Sequence, residues 1–162
     1  MGHEPELARV AADLIALERA RAAGEIDDRG RERRRAGISE LLGLLGRGTG
    51  DERRKHVRIP ADLEVRLRIE EGVACCAASE LSHGGLGLRG ELWVEQGATA
   101  LVENLRVGTR DYPLAARAEV VWKIAGTGAG LSFLDLDEEN QRQIRSVFEQ
   151  LFWLYVERLA GL

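Results

Sequence analysis

Apolar positions divide the chain into three stretches by their period. From Glu6 to about Ala23, Leu7, Val10, Leu14 and Leu17 recur at three- and four-residue steps among Glu, Asp and Arg, which predicts a helix with a narrow apolar seam. The segment Gly24 to Gly30 interrupts this with two glycines and two aspartates. A second helical stripe follows at Ile38, Leu41, Leu42, Leu44 and Leu45, closed by Gly46, Gly48 and Gly50. Two helices joined by a short loop is the preferred reading. Counting in heptads from Leu17 returns Ile38, Leu42 and Leu45 to the same seam, so one long, imperfect helix also satisfies the pattern.

Beyond the glycine-rich linker the period becomes two. Leu63, Val65, Leu67 and Ile69 alternate with Glu64, Arg66 and Arg68, as in a strand with one wet face. Strand-like runs recur at Val73 to Ser79, Leu86 to Gly90, Ala100 to Val107, Leu114 to Lys123 and Gly130 to Leu134, separated by turn-forming glycines. Six short strands at hairpin spacing, with no helix between them, predict a small antiparallel barrel or sandwich. From Asp137 the period returns to 3.6, with Asp135 or Asp137 as the cap and Glu138 and Glu139 in the first turn. The stripe Ile144, Val147, Phe148, Leu151, Phe152, Leu154 and Tyr155, with Trp153 beside it, is wider than a barrel-covering helix needs. Apolar patches of this size seldom stay exposed, so either the N-terminal helices of the same chain or a second copy should cover the excess; a homo-oligomer is favoured. The expected organisation is a helical extension with its linker over residues 1–50 and a barrel with a C-terminal helix over residues 51–162.

Composition narrows the function classes. A chain of 162 residues with a formal charge of −4 is an ordinary globular sequence, long enough for one domain with an appendage. Its mildly acidic balance argues against a general nucleic-acid or membrane-surface binder, so any site for a polyanion must be local. The positive charge is almost wholly arginine: only Lys55 and Lys123 are lysine. Codon bias accounts for most of that excess, yet arginine also offers a planar fork and a stacking face that lysine lacks. Cys75 and Cys76 are adjacent, which disfavours a disulfide between them and fits thiols in a reducing compartment. No apolar run approaches the roughly 20 residues of a membrane span, and the first two dozen residues carry acids where a signal peptide needs a basic start. A cytoplasmic location is expected.

Two segments carry candidate chemistry. Arg53, Arg54, Lys55 and Arg58 form a positive arm between flexible glycines and the first strand. Glu80-Leu81-Ser82-His83-Gly84-Gly85 lies between two strands, where Ser82 offers a hydroxyl and the two glycines permit close backbone approach and positive φ, so the turn can present N–H groups to an anion. His56 and His83 read as loop residues, since no second ligand pair has metal-site spacing. Ser82 beside His83 has no orienting acid, and no acid/base pair stands out, so an enzyme is not expected. Trp122 reads as barrel packing, and the five arginines between Arg29 and Arg35 as a wet helix face or partner contact.

Taken together, the two segments resemble the PilZ domain, a bacterial receptor module for cyclic di-GMP, marked by RxxxR before the first barrel strand and by Asp or Asn in DxSxxG downstream. Arg54-Lys55-His56-Val57-Arg58 matches the first motif, within ERRKHVRIP, and Glu80 to Gly85 matches the second with Glu at the Asp/Asn position. Ala118-Glu119-Val120-Val121-Trp122, Gly130-Leu131-Ser132-Phe133 and the helix that follows resemble the end of that barrel, so the likeness runs from about Asp51 to Phe152. It implies a six-stranded antiparallel barrel with a C-terminal helix in a mainly β, α+β protein, here with an N-terminal helical extension. It further implies that Arg54 and Arg58 grip guanine edges and phosphate, and that Ser82 and the Gly85 backbone bind from the barrel face. Glu80 takes the place of a guanine-contacting Asp or Asn, with one extra methylene. Arg53 stands where arginine in this family goes with two intercalated ligand molecules per site. The expected protein is a non-enzymatic receptor without a cofactor, relaying ligand binding to an oligomer or to a motility or signalling partner. The rival from another class is a ligand-independent interaction module that uses the barrel as a scaffold.

Overall fold

A computed structural model describes residues 4–47 and 56–162. The helical elements are α1 (Glu4–Ala22) and α2 (Asp28–Arg47), so the N-terminal stripe is two helices rather than one. The break has local causes at both ends. Gly24 adopts a left-handed φ of 73° and the N–H of Glu25 reaches back to the Ala20 carbonyl, a C-terminal cap that only glycine forms without strain. Asp27 then starts the next helix, its Oδ1 accepting from the Gly30 N–H at 2.7 Å.

Six strands follow: β1 (Ile59–Ile69), β2 (Gly72–Ser82), β3 (Gly85–Arg89), β4 (Thr99–Val107), β5 (Arg110–Ile124) and β6 (Gly128–Leu134). All neighbours are antiparallel, and the order β1-β2-β3-β6-β5-β4 closes on itself through the β1–β4 pair. β1 begins before its alternating run, with Ile59 buried and paired to Leu81, and its register with β2 shifts between Pro60 and Leu63. Leu63, Val65 and Leu67 of β1, Val102 and Leu105 of β4, Ala116, Ala118 and Val120 of β5 and Leu131 of β6 fill the interior. The small alanines on β5 suit a barrel this narrow.

The last helix, α3 (Glu138–Leu159), is capped by Asp137, whose Oδ1 accepts from the Asn140 N–H at 2.8 Å. The chain divides into two compact units: a barrel unit of Arg58–Leu151, and a helical unit of the residues up to Val57 together with Phe152–Leu162. In the barrel unit, Ile144, Val147, Phe148 and Leu151 are buried. Asn140 locks the start of α3 to β5 by accepting from the Ala115 N–H and donating to the Ala115 carbonyl, both at 2.9 Å. It does so where the β4–β5 register slips between Val102 and Asn104. In the helical unit, Val10, Ala11, Leu14, Ile15, Leu41 and Leu44 are buried along with Phe152 and Val156. Arg34, from the arginine run, places its guanidinium 5.2 Å from the Trp153 ring centre and its Nε 2.7 Å from Glu18. The Arg21 and Arg34 guanidiniums hold the Glu18 carboxyl below its ordinary value of 4.5, with the Arg21 hydrogen bond the largest cause. Of the α3 stripe, Phe152 is buried within the helical unit while Leu154 stays 46% exposed.

Candidate functional site

The antiparallel pairing of β1 with β2 sets Ile59 opposite Leu81 and Pro60 opposite Glu80, so the start of β1 runs beside the end of β2. That register brings Arg58, Glu80 and the β2–β3 turn to one end of the barrel. Arg58 donates from Nη1 to Glu80 Oε1 at 2.5 Å, with the two side chains 29% and 30% exposed. A guanidinium has five N–H donors, and among the described residues Glu80 is the partner that Arg58 meets. Arg53 and Arg54 lie outside the described residues.

Glu80 is seated by what faces it. It pairs across the sheet with Gly87 of β3, and its side chain lies over that glycine: a Cβ on Gly87 would sit 2.6 Å from Glu80 Cγ. The register slips next to it, between Ala78 and Glu80.

Ser82 is 6% exposed, and its Oγ accepts from the N–H groups of Gly84 and Gly85, each at 3.1 Å. The hydroxyl thus builds the turn from within. The Gly84 carbonyl accepts from the Phe133 N–H at 2.9 Å, which ties the turn to β6. Of the two freedoms that glycine permits at 84 and 85, positive φ is used at neither. What demands glycine at 85 is close approach, because a Cβ there would stand 2.0 Å from the Leu131 carbonyl oxygen of β6. His83 leaves the turn on the other side, its ring 4.4 Å from that of Phe148 on α3. Trp122 lies against β6, its indole occupying the space a Cβ on Gly130 would fill.

The Arg58–Glu80 pair, the seat at Gly87 and the His83–Phe148 contact are the features that motif spacing could not show, since each depends on strand register or on where α3 packs. The nearest sequence signal is the glycine alternation in Gly85-Leu86-Gly87-Leu88. Among the described residues no group of three or more His, Cys, Asp or Glu is arranged to hold a metal. No helix among them is long and apolar enough to cross a membrane.

The fold is a small closed antiparallel barrel with the Arg58–Glu80 pair beside its β2–β3 turn. The PilZ domain family model matches residues 52–150, and the chain belongs to that family. PilZ domains are cyclic di-GMP receptor and effector modules, not enzymes. The PilZ domain of YcgR from Escherichia coli, solved with c-di-GMP, is 15% identical over 68% of this chain and all of that one, with a TM-score of 0.57. The Klebsiella pneumoniae MrkH–c-di-GMP complex is 19% identical over 67% of this chain and 56% of that one, with a TM-score of 0.52. The Bacillus subtilis inhibitor of motility, MotI/DgrA, is 20% identical over 63% of this chain, with a TM-score of 0.50, and the match spans about half, 53%, of its length. None of the curated proteins compared matches the sequence.

Proposed function

We propose that the chain is a receptor for cyclic di-GMP that grips the ligand between the arginine arm and the β2–β3 turn. The observation that carries the reading is the placement of Arg58 beside Glu80 and the Ser82–Gly85 turn. The ligand presents two phosphates and two guanines, and an arginine fork pairs with guanine O6 and N7 or with phosphate, while its plane stacks on a base. Family membership and likeness to barrels solved with c-di-GMP support the same ligand.

In this account Arg54 and Arg58 wrap guanine and phosphate, the Gly85 backbone binds from the barrel face, and Ser82 sets the shape of the turn. Arg53 adds a contact for a second ligand molecule. His83 passes a shift of the turn to Phe148 and so to α3, whose last residues belong to the helical unit. The readout is a change in self-association through the helices or in contact with a signalling or motility protein.

Isothermal titration of the full chain tests the reading. We expect wild-type protein to bind with a stoichiometry of one or two, and Arg54→Ala or Arg58→Ala to abolish the heat. Absence of heat from wild type at high ligand concentration contradicts it. Light scattering with and without ligand separates the receptor from a ligand-independent module, which predicts one assembly state throughout.

A further inference from the structure

The contact that seats Glu80 has a consequence for affinity. Arg58 is the described cation of the site, and its guanidinium already faces a carboxylate at 2.5 Å. A dianionic ligand that pairs with Arg58 must share or displace that carboxylate. Glu80 satisfies one guanidinium N–H, cancels the local positive field and repels phosphate. The Glu80 side chain lies over Gly87 along its length, with Cγ 2.6 Å and the Arg58-paired Oε1 2.9 Å from where a Cβ on that glycine would stand. With a side chain at position 87, the Glu80 stem could not occupy that path.

We infer that Glu80 is a built-in competitor for Arg58, held in place by the bare backbone of Gly87, and that the two residues together set the threshold ligand concentration of the site. This rests on the receptor reading above. Gly87 acts as a positioning residue: it touches no ligand and works only through Glu80. Its φ lies outside the left-handed region and the atoms a Cβ would meet belong to the Glu80 side chain, so alanine at 87 requires Glu80 to move.

Titration of the full chain with cyclic di-GMP, comparing wild type, Glu80→Gln, Gly87→Ala and the double variant, tests the inference. Glu80→Gln keeps the shape and removes the charge, and we expect it to tighten binding by about threefold or more, the scale of a partly exposed ion pair. Gly87→Ala should tighten binding too, and should add nothing in the Glu80→Gln background, a dependence that a merely structural effect of the alanine would not show. The advantage of Glu80→Gln should shrink at high salt as the pair is screened. If wild type binds and Glu80→Gln binds equally or more weakly, Glu80 is a ligand acceptor and the competitor role is overturned while the receptor reading stands. If Gly87→Ala acts equally with and without Glu80, its positioning role is overturned. If none of the four proteins binds, the receptor reading fails and this inference with it. Should Gly87→Ala not fold, Glu80→Gln decides the main point alone.

Discussion

At the residue scale the candidate site is built from side chains and backbone that first serve the sheet. Ser82 spends its hydroxyl on the N–H groups of Gly84 and Gly85, and Gly85 exists to let β3 pass close to β6. We expect Gly85→Ala to destabilise the barrel by about 2 kcal/mol or more, because the obstacle is a backbone carbonyl that cannot rotate away; urea unfolding checks this. Wild-type stability in that variant would contradict the close approach. The motif residues were legible in the sequence because Arg58, Ser82 and Gly85 stand at fixed spacing from strand ends. The partner of Arg58 was not, because an ion pair between positions 58 and 80 depends on the β1–β2 register, which alternation alone leaves open.

At the scale of elements, each change of period marked a change of structure: two helices, six strands, one helix. Caps were legible where the chemistry is local, as at Asp137, while Gly24 and Asp27 resolve the ambiguity that heptad counting left. The order of strands was not, since β3 pairs with β6 and β1 with β4, contacts that local pattern does not encode. Nor was the role of Asn140, which serves a slipped register on β5. Removing its amide leaves the N–H and carbonyl of Ala115 without their partner. We expect Asn140→Ala to cost about 2 to 3 kcal/mol, read by chemical denaturation. A loss within a few tenths of a kcal/mol would mean that the α3–β5 junction does not depend on this side chain.

At the scale of the whole molecule, the compositional excess of arginine resolves into distinct uses. Arg34 joins Glu18 and Trp153 in the helical unit, Arg66 and Arg68 meet Glu103 on the barrel surface, and Arg58 alone among these faces the motif turn. The central claim is that the ligand binds at the Arg58 end of the barrel and not elsewhere. Titration of isotope-labelled full-length protein with cyclic di-GMP, followed by two-dimensional amide and arginine side-chain NMR, tests it most directly. The account predicts that the largest shifts fall on Arg58, Glu80 and the amides of residues 82–85. Unchanged spectra at saturating ligand would contradict it, as would shifts centred on Trp93, Glu70 and Glu71 in the cleft beyond the far end of β1 while Arg58 and the turn stay still.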